Sequence, residues 1–175
     1  MPNKSPTLRL TALSRRNTRG WLSDGVRRYP AALGRSGQRA CKREGDGATP
    51  IGTWRILKVL YRADRSQRPR TLVPIYRISR ADGWCDAPGD RNYNRPVRLP
   101  YPASAEALWR DDHLYDLIVV LDHNHRPRIR GGGSAIFMHI ARTGYRPTEG
   151  CIALSAKDLA QVLRRLKQGS KIVIA

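Results

Sequence analysis

The chain is poor in acidic residues, in cysteine and in long apolar runs, and each shortage excludes a class of protein. Lys and Arg number 33 against 14 Asp and Glu, which gives a formal net charge of +19 over 175 residues. Three cysteines do not imply a disulfide framework, although Cys41 and Cys85 could pair in an oxidising compartment. The cysteines and the four histidines show no paired ligand spacing, so we expect no metal and no cofactor.

Apolar runs are too short for a membrane span anywhere in the sequence. Residues 1–20 carry basic side chains but no apolar run of seven or more, so no secretory signal peptide is visible. Internal repeats and low-complexity segments are also absent. A chain of 175 residues is long enough to bury a core of its own, and we predict a single domain over residues 1–175.

The positive charge makes nucleic acid a partner to consider, because such a field attracts polyanions. The basic residues are spread through every segment, however, and no nucleic-acid-binding motif accompanies them. We therefore expect no specific recognition of DNA or RNA. Acidic polymers of another kind would be concentrated by the same field.

The pattern of apolar residues predicts a mainly β fold, a sheet sandwich or barrel-like arrangement with one or two short helices. The predicted strands include short ones within 7–32, then Ile51–Leu60, Leu72–Ser79, Tyr115–Leu121, Ala135–His139 and Lys171–Ala175. The predicted helices are Ser104–His113 and a second that Ser155 caps and that continues to Leu166. Residues 83–98 are rich in Asp, Asn, Gly and Pro, which predicts an irregular loop.

One stretch carries the residues best suited to chemistry. His139 ends an apolar strand, and Cys151 follows a loop of eleven residues that contains Gly144, Pro147 and Gly150. A cysteine needs little help to become a nucleophile, and a histidine within hydrogen-bond reach supplies it. The loop can fold the thiol of Cys151 back towards the imidazole of His139.

The residues before Cys151 fit the same chemistry. Gly150 lets a substrate approach the sulfur closely, and the N–H groups around it are candidates for an oxyanion hole. Thr148 is a candidate either to cap the turn or to donate its hydroxyl to a substrate carbonyl. The alternative is that Cys151 is a buried small hydrophobe and His139 a core histidine whose hydrogen bonds are satisfied.

This stretch resembles the signature of the L,D-transpeptidase catalytic domain, the YkuD-type family. In that family a strand-borne His is followed by a loop and then by Ser/Thr-His-Gly-Cys; here the sequence is Thr148-Glu149-Gly150-Cys151. Further segments lie in the order that the family shows, over roughly residues 39–175. They are Thr49-Pro50-Ile51-Gly52-Thr53-Trp54, Gly83-Trp84-Cys85-Asp86, Tyr93-Asn94 and Gly132-Gly133-Ser134 before the strand with His139.

The resemblance implies roles for particular residues. Cys151 would be the acyl-accepting nucleophile, His139 its base, and the backbone carbonyl of Ile140 the third catalytic partner. Gly150 would occupy the oxyanion-hole position. Trp84, Tyr93 and Ser134 are further candidates for substrate binding.

Three departures from the family pattern bear on the substrate. Glu149 replaces the usual second His, Ala153 replaces the usual Arg, and the spacing of twelve from His139 to Cys151 is shorter than usual. Alanine cannot supply the bidentate contact that an arginine makes with a carboxylate. Together with Thr148 and Glu149, Arg142 and Arg146 are therefore candidates to contact the substrate.

The function that the resemblance implies is a peptidoglycan L,D-transpeptidase that cross-links stem peptides through a cysteine thioester. The departures suggest 1-3 rather than 3-3 links as a hypothesis. A periplasmic or cell-wall location is expected from the resemblance, although no signal peptide is visible. Two alternatives stay open: a cysteine-dependent peptidoglycan hydrolase, carboxypeptidase or amidase, and a cationic module that binds wall polymer or nucleic acid.

Overall fold

The computed structural model describes residues 5–175 and is built mostly of strands. The strands are β1 (Thr7–Thr11), β2 (Arg19–Ser23), β3 (Arg28–Ala32), β4 (Gln38–Arg39), β5 (Thr49–Pro50), β6 (Gly52–Tyr61), β7 (Ile75–Arg77), β8 (Asp82–Cys85), β9 (Pro96–Arg98), β10 (Ala105–Ala107), β11 (Leu117–Leu121), β12 (Phe137–Ile140), β13 (Ile152–Leu154) and β14 (Lys171–Ile174). The helices are α1 (Ala156–Leu163) and a 3-10 turn at Thr143–Tyr145. The predicted fold class, mainly β with short helical segments, is confirmed.

The largest sheet closes on itself. Its strands follow the order β11-β12-β13-β3-β2-β1-β14-β6-β7, and β6 also pairs with β11. The first eight strands in this order therefore form a closed barrel, to which β7 is added beside β6. β12 and β13 are parallel neighbours, with His139 opposite Ala153. A separate three-stranded sheet, β10-β8-β9, lies outside the barrel.

Two apolar cores lie on opposite sides of the barrel wall, and β11 shows why. Leu117, Val119 and Leu121 belong to one core, while Ile118 and Val120 belong to the other. Successive side chains of a strand point to opposite faces, so a strand buried on both faces is a continuous apolar run. The second core also contains Trp84 of the small sheet and Cys151, which places the thiol on the outer face of the barrel.

The helix that begins after Ser155 is confirmed. The hydroxyl of Ser155 accepts a hydrogen bond from the N–H of Asp158 at 3.1 Å, so it caps the first turn of α1. Leu159, Val162 and Leu163 are fully buried and join the core inside the barrel. This anchors the segment that directly follows the β13 strand.

Two predictions from the sequence are wrong. Ser104–His113 is not a helix, since it contains β10, in which Glu106 pairs with Trp84 across an antiparallel ladder. The stretch from Gly83 to Arg98 is not wholly irregular, because β8 and β9 occupy its two ends. In both cases pairing within the small sheet β10-β8-β9 overrides the local preference.

Candidate active site

The thiol of Cys151 is held just before β13 by two backbone contacts. Its Sγ donates to the carbonyl of Ala135 at 3.2 Å and accepts from the N–H of Phe137 at 3.4 Å. Cys151 is only 8% exposed. Burial raises the pKa of the thiol to about 12, and the negative charge of Glu106 acts in the same direction. The resting group is therefore a protonated thiol.

Ala135 is itself held in an unusual conformation, with φ at 50°. Its N–H donates to Oδ1 of Asn94 at 3.1 Å, and the same oxygen accepts from the indole N–H of Trp84 at 2.9 Å. A left-handed residue other than glycine costs on the order of 1 kcal/mol and persists only where neighbours impose it. Here the imposed conformation turns the Ala135 carbonyl towards the thiol.

The imidazole of His139 lies on β12, on the same face as Phe137. Its Nδ1 is 2.9 Å from the carbonyl oxygen of Ile140. Because a carbonyl can only accept, Nδ1 carries the proton and Nε2 keeps the lone pair that a base needs. Burial lowers the pKa of His139 to about 4, so the imidazole is neutral near neutral pH.

The thiol and the imidazole line one cavity of about 460 Å³. Ser134, Arg142, Arg146, Thr148 and Glu149 also line it, so the structure brings these predicted residues together with Cys151 and His139. Glu149 lies at the exposed rim, where its carboxylate pairs with Arg35 at 2.8 Å. Ala153 forms part of the wall at the position where the family pattern has an arginine.

The turn before Cys151 depends on Thr148. Its hydroxyl donates to the carbonyl of Cys151 at 2.6 Å and accepts from the N–H of Gly150 at 3.1 Å. Thr148 therefore caps the turn, which was the first of its two expected roles. The N–H of Gly150 is already engaged, which leaves the N–H of Cys151 as the better candidate for the oxyanion contact.

Gly150 cannot be replaced without cost. Its φ is +132°, and a Cβ atom added there would lie 2.8 Å from the carbonyl oxygen of Ala48. We expect Gly150→Ala to lower the free energy of unfolding by about 2 kcal/mol, through backbone strain and this contact. Chemical denaturation would measure the loss. Gly89→Ala is the matched control, because nothing lies within 4 Å of its added Cβ; equal midpoints for the two variants would contradict the prediction.

Trp84 and Tyr93, two of the candidates for substrate binding, lie behind the cavity rather than on its wall. Trp84 is 4% exposed and Tyr93 is 2% exposed. The hydroxyl of Tyr93 donates to Glu44 and accepts from the N–H of Gly133 at 3.0 Å. Both side chains hold the glycine-rich approach to β12 in place.

Several cavity residues were not found from the sequence: Glu44, Glu106, Arg110 and Tyr115. Tyr115 is packed edge-on against the His139 ring, with ring centroids 5.3 Å apart. Its hydroxyl donates to Oε1 of Glu106 at 2.7 Å. Four of the chain's fourteen Asp and Glu residues line this one cavity, and the fold rather than any local sequence pattern brings them together.

The fold and the site define a class: a β-barrel domain in which a buried thiol, just before one strand, and a neutral imidazole, on the neighbouring strand, line one cavity. The thiols of Cys41 and Cys85 are both free and lie outside that cavity. Such a pair suits acyl transfer through a cysteine nucleophile.

The sequence model that represents the YkuD family, the L,D-transpeptidase catalytic domain, matches residues 8–174. The chain therefore belongs to this family. The match begins well before the segment in which the sequence motifs were found, so β1 to β3 are part of the family domain. No curated protein matches the chain.

Solved structures similar to the chain include three L,D-transpeptidases. They are L,D-transpeptidase 1 of Mycobacterium tuberculosis (14% identity, TM-score 0.44, 98% of this chain and 59% of that one), an L,D-transpeptidase of Stackebrandtia nassauensis (12%, 0.41, 99% and 56%) and one of Mycobacterium smegmatis (18%, 0.44, 98% and 58%). The chain thus spans less than two thirds of the length of these structures.

Proposed function

We propose that the chain is a peptidoglycan L,D-transpeptidase that cross-links stem peptides through a thioester on Cys151. The observation that carries this proposal is the placement of the Cys151 thiol and the His139 imidazole on one cavity. The carbonyl of Ile140 fixes Nδ1 of His139 as the protonated nitrogen, which leaves Nε2 to act as the base.

In the first half of the reaction the proton of the thiol moves to Nε2 of His139 as Sγ attacks the carbonyl carbon of the donor peptide. Both groups favour their neutral forms at rest, so proton transfer accompanies bond formation rather than preceding it. The N–H of Cys151 would stabilise the oxyanion. The C–N bond then breaks, the departing amine takes the proton from Nε2, and a thioester remains.

In the second half an amine of another stem peptide attacks the thioester and frees Cys151. Water in place of the amine would give a hydrolase with the same residues. Peptidoglycan lies outside the cytoplasmic membrane, so we infer a periplasmic or wall location. Among residues 5–175, no helix is both long enough and apolar enough to cross a membrane.

The donor bond is expected to differ from the usual third position of the stem. Ala153 offers no guanidinium at the cavity wall. Of the three arginines that line the cavity, Arg110 is paired with Asp112, whereas Arg142 and Arg146 lie on the loop before Thr148. A carboxylate held by this loop would place a different carbonyl over Sγ, nearer the L-alanine of the stem.

Incubation of the purified protein with peptidoglycan and with defined stem peptides tests the proposal, with mass spectrometry of the products. We expect new cross-links that include 1-3 bridges. Exclusively 3-3 bridges would overturn the donor assignment but keep the transpeptidase. Hydrolysed stems without any cross-link, in the presence of an amine acceptor, would favour the hydrolase.

A further inference from the structure

The catalytic cavity contains an acidic side that the transfer mechanism above does not use. Glu44, Asp86 and Glu106 line it together, in a chain whose formal net charge is +19. The negative charges of Asp86 and Glu44 both raise the pKa of Glu106. Oδ1 of Asp86 is buried and has no hydrogen-bond partner within the described residues. A cationic group on a ligand would pair with these carboxylates.

Glu106 is the member of this group that lies next to the reacting atoms. Its Oε1 accepts from the hydroxyl of Tyr115 at 2.7 Å, and the Tyr115 ring packs against His139. Its charge also acts on the thiol of Cys151. The guanidinium of Arg110 lies 5.2 Å from the centre of the Tyr115 ring, and its charge lowers the pKa of Glu106, but its hydrogen bonds go to the carboxylate of Asp112. Oε2 of Glu106 makes no hydrogen bond to another group among residues 5–175.

We propose that Glu106 binds the ammonium group of the acyl acceptor and removes one of its protons, while Tyr115 positions the carboxylate. The proposal deepens the proposed function and rests on it. The amino group of the acceptor would then enter as an alkylammonium beside Glu106 and reach the thioester on Cys151 from there.

The proton balance of aminolysis leaves one proton that His139 does not account for. An alkylammonium that becomes an amide nitrogen loses two protons. One returns to the sulfur of Cys151 through Nε2 of His139 as the C–S bond breaks. The other leaves the enzyme, and Glu106 accepts it from the ammonium and passes it to water. Because Glu106 is partly buried and desolvated, its carboxylate binds a proton more readily than an exposed one would.

Glu106→Gln tests the proposal, since glutamine keeps the shape and the contact with Tyr115 but removes the charge. Cys151 is first acylated with a stem peptide, and the loss of the acyl group is then followed by mass spectrometry with two nucleophiles. Nα-acetyl-lysine amide is charged at neutral pH, whereas hydroxylamine is mostly uncharged. We expect the variant to react about 100-fold more slowly with the lysine derivative and within about threefold of wild type with hydroxylamine.

Equal slowing with both nucleophiles, or with neither, would overturn the role of Glu106. Absence of the acyl-enzyme in wild type would instead overturn the proposed function, so the two failures are distinguishable. Tyr115→Phe is the second variant, should Glu106→Gln fold poorly. It keeps the carboxylate of Glu106 but removes the hydrogen bond that positions it, and we expect the reaction rate to fall about tenfold with the lysine derivative alone. Asp111→Asn is the matched control, because the carboxylate of Asp111 is exposed and lies outside the cavity. This variant should react as wild type does.

Discussion

Replacing Cys151 by alanine is expected to remove the acyl-enzyme completely and to lower cross-linking by about 10⁴-fold or more. Without Sγ no thioester can form, and the remaining groups can only orient the substrate for direct attack. Intact-protein mass spectrometry after incubation with a stem peptide measures the adduct, and product analysis measures the rate. The fold should survive, because alanine leaves only a small gap next to Phe137 and Ala135.

Cys41→Ala is the control for this experiment. Cys41 is an exposed free thiol outside the cavity, so its loss should change neither the adduct nor the products. If Cys151→Ala and wild type made the same products, the thiol would be structural, and a wall-binding module would replace the enzyme. An adduct that persisted in Cys151→Ala would place the nucleophile elsewhere.

Replacing His139 by alanine should lower acylation of Cys151 by about 10²–10⁴-fold near neutral pH, because the thiol then has no base. The pH dependence should change as well. In wild type, protonation of His139 removes the lone pair only as pH falls through about 4, so acylation should be flat from about pH 6 upwards. In the variant the rate should rise about tenfold per pH unit, because it follows the thiolate, whose pKa is about 12.

Acylation rates measured from pH 5 to 9 distinguish these profiles. His125→Ala serves as the control, since His125 lies outside the cavity that holds Cys151. A wild-type profile that rises as steeply as that of His139→Ala would show that His139 does not act as the base.

The sequence predicted most reliably what neighbouring residues determine. The apolar run of β11 and the cap that Ser155 provides both depend on nearby residues, and both were found. The segment 104–113 looked helical because Ala, Glu and Leu favour helices, but pairing of Glu106 with Trp84 made it a strand. That pairing depends on a contact across the small sheet, which a local pattern does not contain.

The sequence indicated the residues at the centre of the candidate site but not those at its edges. His139, Cys151 and the Ile140 carbonyl lie on or beside two adjoining strands, and the resemblance to the family motif indicated all three. Tyr93 and Trp84 belong to segments that resemble the family pattern, yet both are buried. The indole of Trp84 donates to Asn94, and the hydroxyl of Tyr93 accepts from the backbone of Gly133. Glu106 reaches the cavity only because β10 pairs with β8, so no motif near Cys151 could indicate it.

The pairing of β1 with β14 has a consequence for how the chain folds. These strands join the two ends of the described chain, with Thr7 opposite Lys171, and they close the barrel. Contacts so distant in sequence carry a large loop-closure entropy, so proteins rich in them fold slowly. Until β14 docks, β1 and β6 each present an unpaired edge that another chain could occupy. During synthesis the barrel therefore stays open, and prone to association, until its final strand is available.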